Sequence, residues 1–137
     1  MSDYQPLIEV ILHGLPDTQA IYLFGSAARN EMRPVSDIDL AVLLPFATAK
    51  QAGSLAMSQT HLNLAVVARR DVDLINLRQV SAVLQAEVAS TGRIIFCTDT
   101  GAQQEFEMTA LSALQELNRH QFELLQQFMT TKRAYAV

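Results

Sequence analysis

Asp37-Ile38-Asp39, ten residues after Gly25-Ser26, is the part of this chain whose residue types and spacing could do chemistry. The glycine and serine follow an apolar run, Ala20-Ile21-Tyr22-Leu23-Phe24, and the two acids open another, Leu40-Ala41-Val42-Leu43-Leu44. A glycine bend at the end of a strand lets backbone N–H groups and a hydroxyl approach a phosphate. Two aspartates at i and i+2 of a strand lie on one face, roughly 7 Å apart, and can grip the same divalent ion or an adjacent pair. In water alone the two carboxylates would repel, and a cation reverses that sign. Together the two segments describe a place for a nucleoside triphosphate and its metal. The alternative is a solvated strand start carrying two surface acids, and the upstream Gly25-Ser26 argues against it.

Group transfer assisted by two metal ions calls for a further carboxylate. Asp71-Val72-Asp73-Leu74-Ile75 supplies the candidates. Asp73, flanked by apolar residues, is expected inside a strand, where an unpaired carboxylate is costly. Asp71 follows Arg69-Arg70 and suits an ion pair or a turn, so Asp73 is the preferred third acid. His13, His61 and His120 are expected on separate helices, share no metal-ligand spacing, and read as surface or helix-end residues. Cys97, the sole cysteine, reads as a small buried filler and excludes an intramolecular disulfide.

These residues need strands to hold them. The pattern predicts a helix over Tyr4–Gly14, strands over Ala20–Phe24, Asp37–Leu44, Asp71–Leu77 and Arg93–Cys97, and a turn leading to a short helix over Gly25–Arg33 that Pro34 ends. An alanine-rich helix is expected from Ala47 to Ala68 with Leu55, Leu62 and Val66 on one side. Another is expected over Ser81–Ser90, with Ser81 as N-cap and Gly92 as stop. A last helix, about 102–132, carries Met108, Leu111, Leu114, Leu117, Phe122, Leu125, Phe128 and Met129 in a stripe suited to packing on the sheet. At ~1.5 Å per residue it would extend ~45 Å, leaving part of its length for a second protein chain. The expectation is one α/β (α+β) domain over 1–137, with a core at 20–97: a small mixed sheet of about four strands flanked by helices.

Half of the 137 residues are apolar, which fits a folded domain and not a disordered chain. The net charge of −4 lacks the footprint of a general nucleic-acid binder, so direct DNA or RNA binding is not expected. No apolar run reaches the ~20 residues of a membrane span, and the start shows no signal-peptide pattern, so a cytoplasmic protein is expected.

The segments Tyr22-Leu23-Phe24-Gly25-Ser26-Ala27-Ala28-Arg29, Ser36-Asp37-Ile38-Asp39-Leu40-Ala41-Val42 and Val72-Asp73-Leu74-Ile75 resemble the minimal nucleotidyltransferase family of the DNA polymerase β-like superfamily. Within it the likeness is to MntA-type antitoxins, which are paired with HEPN-domain ribonuclease toxins of the HepT kind. The resemblance implies a nucleotidyltransferase fold and a metal triad of Asp37, Asp39 and Asp73. It also implies Gly25 and Ser26 at the phosphates of ATP, with Mg²⁺, as two ions, for cofactor. Its further implication is transfer of AMP to a tyrosine of a HEPN-type partner, in a hetero-oligomer, which silences the toxin. Arg29 would touch triphosphate oxygens, and Ser36 either binds the nucleotide or caps the strand. Two departures stand out: Ala27 and Asn30 replace an arginine and a glycine common after the strand. No arginine here precedes a histidine with the Arg-x(4–6)-His spacing of HEPN ribonucleases, so the chain does not resemble the toxin. Other readings are an antitoxin that masks its partner without catalysis and a nucleotidyltransferase acting on a small hydroxylated molecule.

Overall fold

The computed structural model describes residues 3–25 and 37–135, with side chains as far as Thr130. Two strands, β1 (Ala20–Phe24) and β2 (Ile38–Leu43), run antiparallel, with Ala20 opposite Leu43 and Phe24 opposite Asp39. All five residues of β1 are buried, as expected of a central strand with both faces covered. A parallel neighbour requires a crossover. Here α2 (Phe46–Ala52) and α3 (Gln59–Ala68) carry the chain from β2 to the parallel strand β3 (Val72–Asn76). A single 3-10 turn (Leu77–Gln79) and α4 (Ala82–Thr91) lead to β4 (Arg93–Cys97), which pairs antiparallel with β1. The sheet order is therefore β3-β2-β1-β4.

Strand alternation sorts the core into two layers. Ile21, Leu23, Leu40, Val42 and Leu74 face α3 and the first helix, α1 (Gln5–Gly14), which add Leu7, Ile8, Ile11 and Leu64. On the other face Ala20, Tyr22, Phe24, Ala41 and Leu43 meet Val88 of α4 and Phe106 and Ala110 of α5 (Thr100–Tyr135). Gly14 allows α1 and α3 to approach closely, since a Cβ there would collide with the Thr60 hydroxyl.

Ser81 caps α4 by accepting the Leu84 N–H, and α4 stops at Gly92, as the sequence leads one to expect. Ala47–Ala68, however, is two helices rather than one. Gly53, at φ +60°, ends α2, and Ser58 starts α3 by accepting the His61 N–H. Asn76, buried on β3, donates its amide to the carbonyls of Ala49 and Gly53, 2.9 Å each, and so satisfies the freed end of α2. The apolar face of α3 also differs from expectation: Leu64 is buried, while Leu62 and Val66 are exposed. His61 is more than a helix-end residue. It accepts the Met57 N–H at Nδ1, so its Nε2 carries the proton and donates to the Val72 carbonyl on the sheet edge.

Cys97 is exposed rather than buried, because it ends the edge strand β4. The last helix is rooted by its first turns. Asp99 accepts the Ala102 N–H. The buried Tyr22 hydroxyl donates to Glu107 and accepts from Gln103, and burial raises its phenol above the ordinary range. The expected stripe does not pack on the sheet. Phe106 and Ala110 do so instead, and Met108, Phe122, Leu125, Phe128 and Met129 are exposed. Among the described residues no helix is long and apolar enough to cross a membrane.

Candidate active site

Asp39 lies one residue into β2, on the face that carries Ala41 and Leu43. Its ladder partner on one side is Phe24, the last residue of β1, and on the other Asp73 of β3. Two residues in register on adjacent strands project to the same face, so Asp39 and Asp73 are neighbours. Asp37 stands just before β2, two residues from Asp39 and exposed. Asp71 precedes β3 and takes part through its backbone, accepting the Ile38 N–H at 3.0 Å. Register thus joins Asp73, not Asp71, to Asp39.

Gly25 closes the cluster from the end of β1. Its φ of +70° is open to glycine and strained for other residues, and a Cβ there would lie 2.2 Å from Asp39 Oδ2. The bare glycine backbone therefore packs directly on the carboxylate, which brings the Gly25 bend against the acidic pair. Ser26, Arg29 and Ser36, and the short helix expected after Gly25, lie outside the described residues.

Electrostatics agree with the geometry. Partial burial raises the Asp39 carboxyl above its ordinary value, and Asp73, Asp37 and Glu87 push it further up. Among the described residues the charges acting on Asp39 are thus all acids. A strand end that gathers like charges around a partly desolvated carboxylate suits a bound divalent cation, which would reverse each of those repulsions. Oxygen donors alone fit Mg²⁺. The described side chains do not, as they stand, close into a cage of three ligands.

Two features add to the sequence pattern. Asp73 is exposed, not enclosed: Val72 and Leu74 bury themselves on the opposite face, while its own side stays open. Glu87 of α4 joins the acidic field through packing of α4 on the sheet, and no spacing motif in the sequence announces it. A larger hollow of about 640 Å³ lies elsewhere, between α1 and α3, lined by Val10, His13, Asn63 and Val67. It is on the opposite side of the sheet from the aspartates, so cavity size does not locate the site.

The family described as polymerase beta, nucleotidyltransferase matches residues 7–101. The protein adenylyltransferase MntA of Shewanella oneidensis is 33% identical over 108 residues, which cover 79% of this chain and 72% of that protein. Among solved structures, a toxin–antitoxin crystal structure with AMP-PNP superposes with a TM-score of 0.75 at 28% identity, covering 93% of this chain and 99% of that one. A structure of a tri-AMPylated Shewanella oneidensis HEPN toxin in complex with its MNT antitoxin gives a TM-score of 0.67 at 28% identity, with coverages of 90% and 93%.

Proposed function

This chain belongs to the polymerase beta nucleotidyltransferase family, and on that premise we propose that it is a protein adenylyltransferase acting as the antitoxin of a HEPN-type ribonuclease. The observation that carries the reading is the register match of Asp39 with Asp73 on the face where Gly25 packs against the Asp39 carboxylate. Its relatives include a named protein adenylyltransferase and an antitoxin solved with an AMPylated toxin.

In the reaction a tyrosine hydroxyl of the partner attacks the α-phosphorus of ATP. The new bond is O–P, the bond to the β-phosphate oxygen breaks, and pyrophosphate leaves. Asp73, exposed beside Asp39, takes the hydroxyl proton in this reading. Gly25 and Ser26 present backbone N–H groups and a hydroxyl to the β- and γ-phosphates, with Arg29 and Ser36 as further nucleotide contacts. Asp37, Asp39 and Asp73 would hold Mg²⁺, as two ions, which supplies charge neutralisation of the triphosphate and of the leaving group. An AMP group beside a ribonuclease site blocks RNA phosphates by charge and by bulk.

The test is transfer of label from α-labelled ATP with Mg²⁺ to the cognate HEPN-type protein. Label on a tyrosine, absent with Asp39→Asn, is the expected result. Neutralisation of the toxin by Asp39→Asn without label would replace catalysis by masking, and label confined to a small molecule would replace the acceptor.

A further inference from the structure

The last helix is packed at its start and exposed along its second half. Its root, through Ala110, is held by Tyr22, Phe106 and the neighbouring α4. From Asn118 to Thr130 every described side chain is exposed. That free half is not polar all round. At 3.6 residues per turn, the side that buries Phe106 and Ala110 continues outward as Leu117, Leu124, Leu125 and Phe128, widened by Phe122 and Met129. Phe122, Leu125 and Phe128 are 60%, 58% and 62% exposed. Among the described residues none covers such a face, and an exposed apolar patch on a folded protein marks a contact surface.

Two observations say what covers it. The family-wide match ends at residue 101, at the start of α5, so this helix is outside what the family has in common. The toxin–antitoxin structure with AMP-PNP nevertheless covers 93% of this chain and 99% of its own, so at most about ten residues here lack a counterpart and most of α5 is shared. The helix thus lies beyond the family-wide match and is shared with a chain solved in a toxin–antitoxin complex.

We propose that the free half of α5 is the docking surface for the acceptor protein, and that it takes an apolar face of the HEPN-type partner. This rests on the adenylyltransferase reading. The root of α5 packs on the same sheet face as Asp39 and Asp73, so one helix ties partner docking to the catalytic layer.

The experiment measures binding of the purified cognate HEPN-type toxin to the full chain by calorimetry, with Asp39→Asn as background so that no AMP is transferred. Phe122→Ser/Phe128→Ser and Leu125→Asp alter only exposed side chains, and unchanged circular dichroism verifies the fold. The expected result is binding weakened by about 30-fold or more, the loss of a contact hot spot. In the active chain, AMP transfer should fall at low partner concentration and recover at high. Binding and transfer equal to the unaltered protein would overturn the proposal, as would failure of the toxin to bind the intact chain. A homodimer that buries Phe122 and Phe128, seen by light scattering and abolished by the same variants, would overturn it in favour of a second copy. If the toxin binds through α5 and no AMP is ever transferred, the catalytic reading fails and the docking surface stands.

Discussion

The two faces of β2 share one backbone and have opposite tasks. Ile38, Leu40 and Val42 turn to α1 and α3 and are buried among aliphatic side chains. Asp39, one position out of phase, turns with Ala41 and Leu43 to the other face, where like charges crowd it. A one-residue slip in register would exchange the two sets, so the hydrophobic face holds the acidic one in place. What differs is the kind of free energy at stake: one face stabilises the fold, and the other holds an unfavourable charge arrangement that a ligand relieves.

The comparison breaks most visibly at Asp39. Asp39→Asn should lower AMP transfer by ~10²–10³-fold, the scale of losing a main electrostatic group in a transition state. Its thermal midpoint should stay level or rise, because a repelled carboxylate has been removed. On the opposite face Leu40→Ala should reverse the pattern, costing ~2–5 kcal/mol in denaturant unfolding while activity per folded molecule is retained. Gly25→Ala lies between them. Its Cβ meets Asp39 Oδ2 and its φ is positive, so ~1–2 kcal/mol of stability and most of the transfer activity should be lost together.

The smallest difference between the two faces is a pH dependence. Burial, then Asp73, Asp37 and Glu87, raise the Asp39 carboxyl above its ordinary 3.8. The folded state therefore holds that proton more tightly than the unfolded chain does. The cost of ionising Asp39 is absent below the ordinary value, grows as pH rises, and is complete above the raised one. Compared with Asp39→Asn, the unaltered protein should lose stability through that window, as thermal midpoints taken across pH would record. Mg²⁺ at neutral pH should recover part of the loss only where Asp39 is present.

Most of the site's frame is legible in the sequence because short strands bounded by Gly, Pro and Asp leave few readings. β1 and β4 start and end where the apolar runs do, and the spacing of Gly25 to Asp39 survives as direct contact. The α2–α3 break is missed where alanine-rich helical periodicity outweighs two local signals, Gly53 as a stop and Ser58 as an N-cap. Asp73 lies within β3 with Val72 and Leu74 on the other face, as the alternation leads one to expect, but its own face is open, so membership of the strand does not enclose the carboxylate. The stripe on α5 has helical spacing either way. Periodicity reports an apolar side without saying which molecule covers it.

Binding of Mn²⁺ in the presence of AMP-PNP, followed by electron paramagnetic resonance, tests most directly whether these acids form a metal site. The unaltered chain should bind the ion with the nucleotide, and Asp39→Asn and Asp73→Asn should each weaken that binding by at least about tenfold. Equal Mn²⁺ binding by all three proteins would contradict the account.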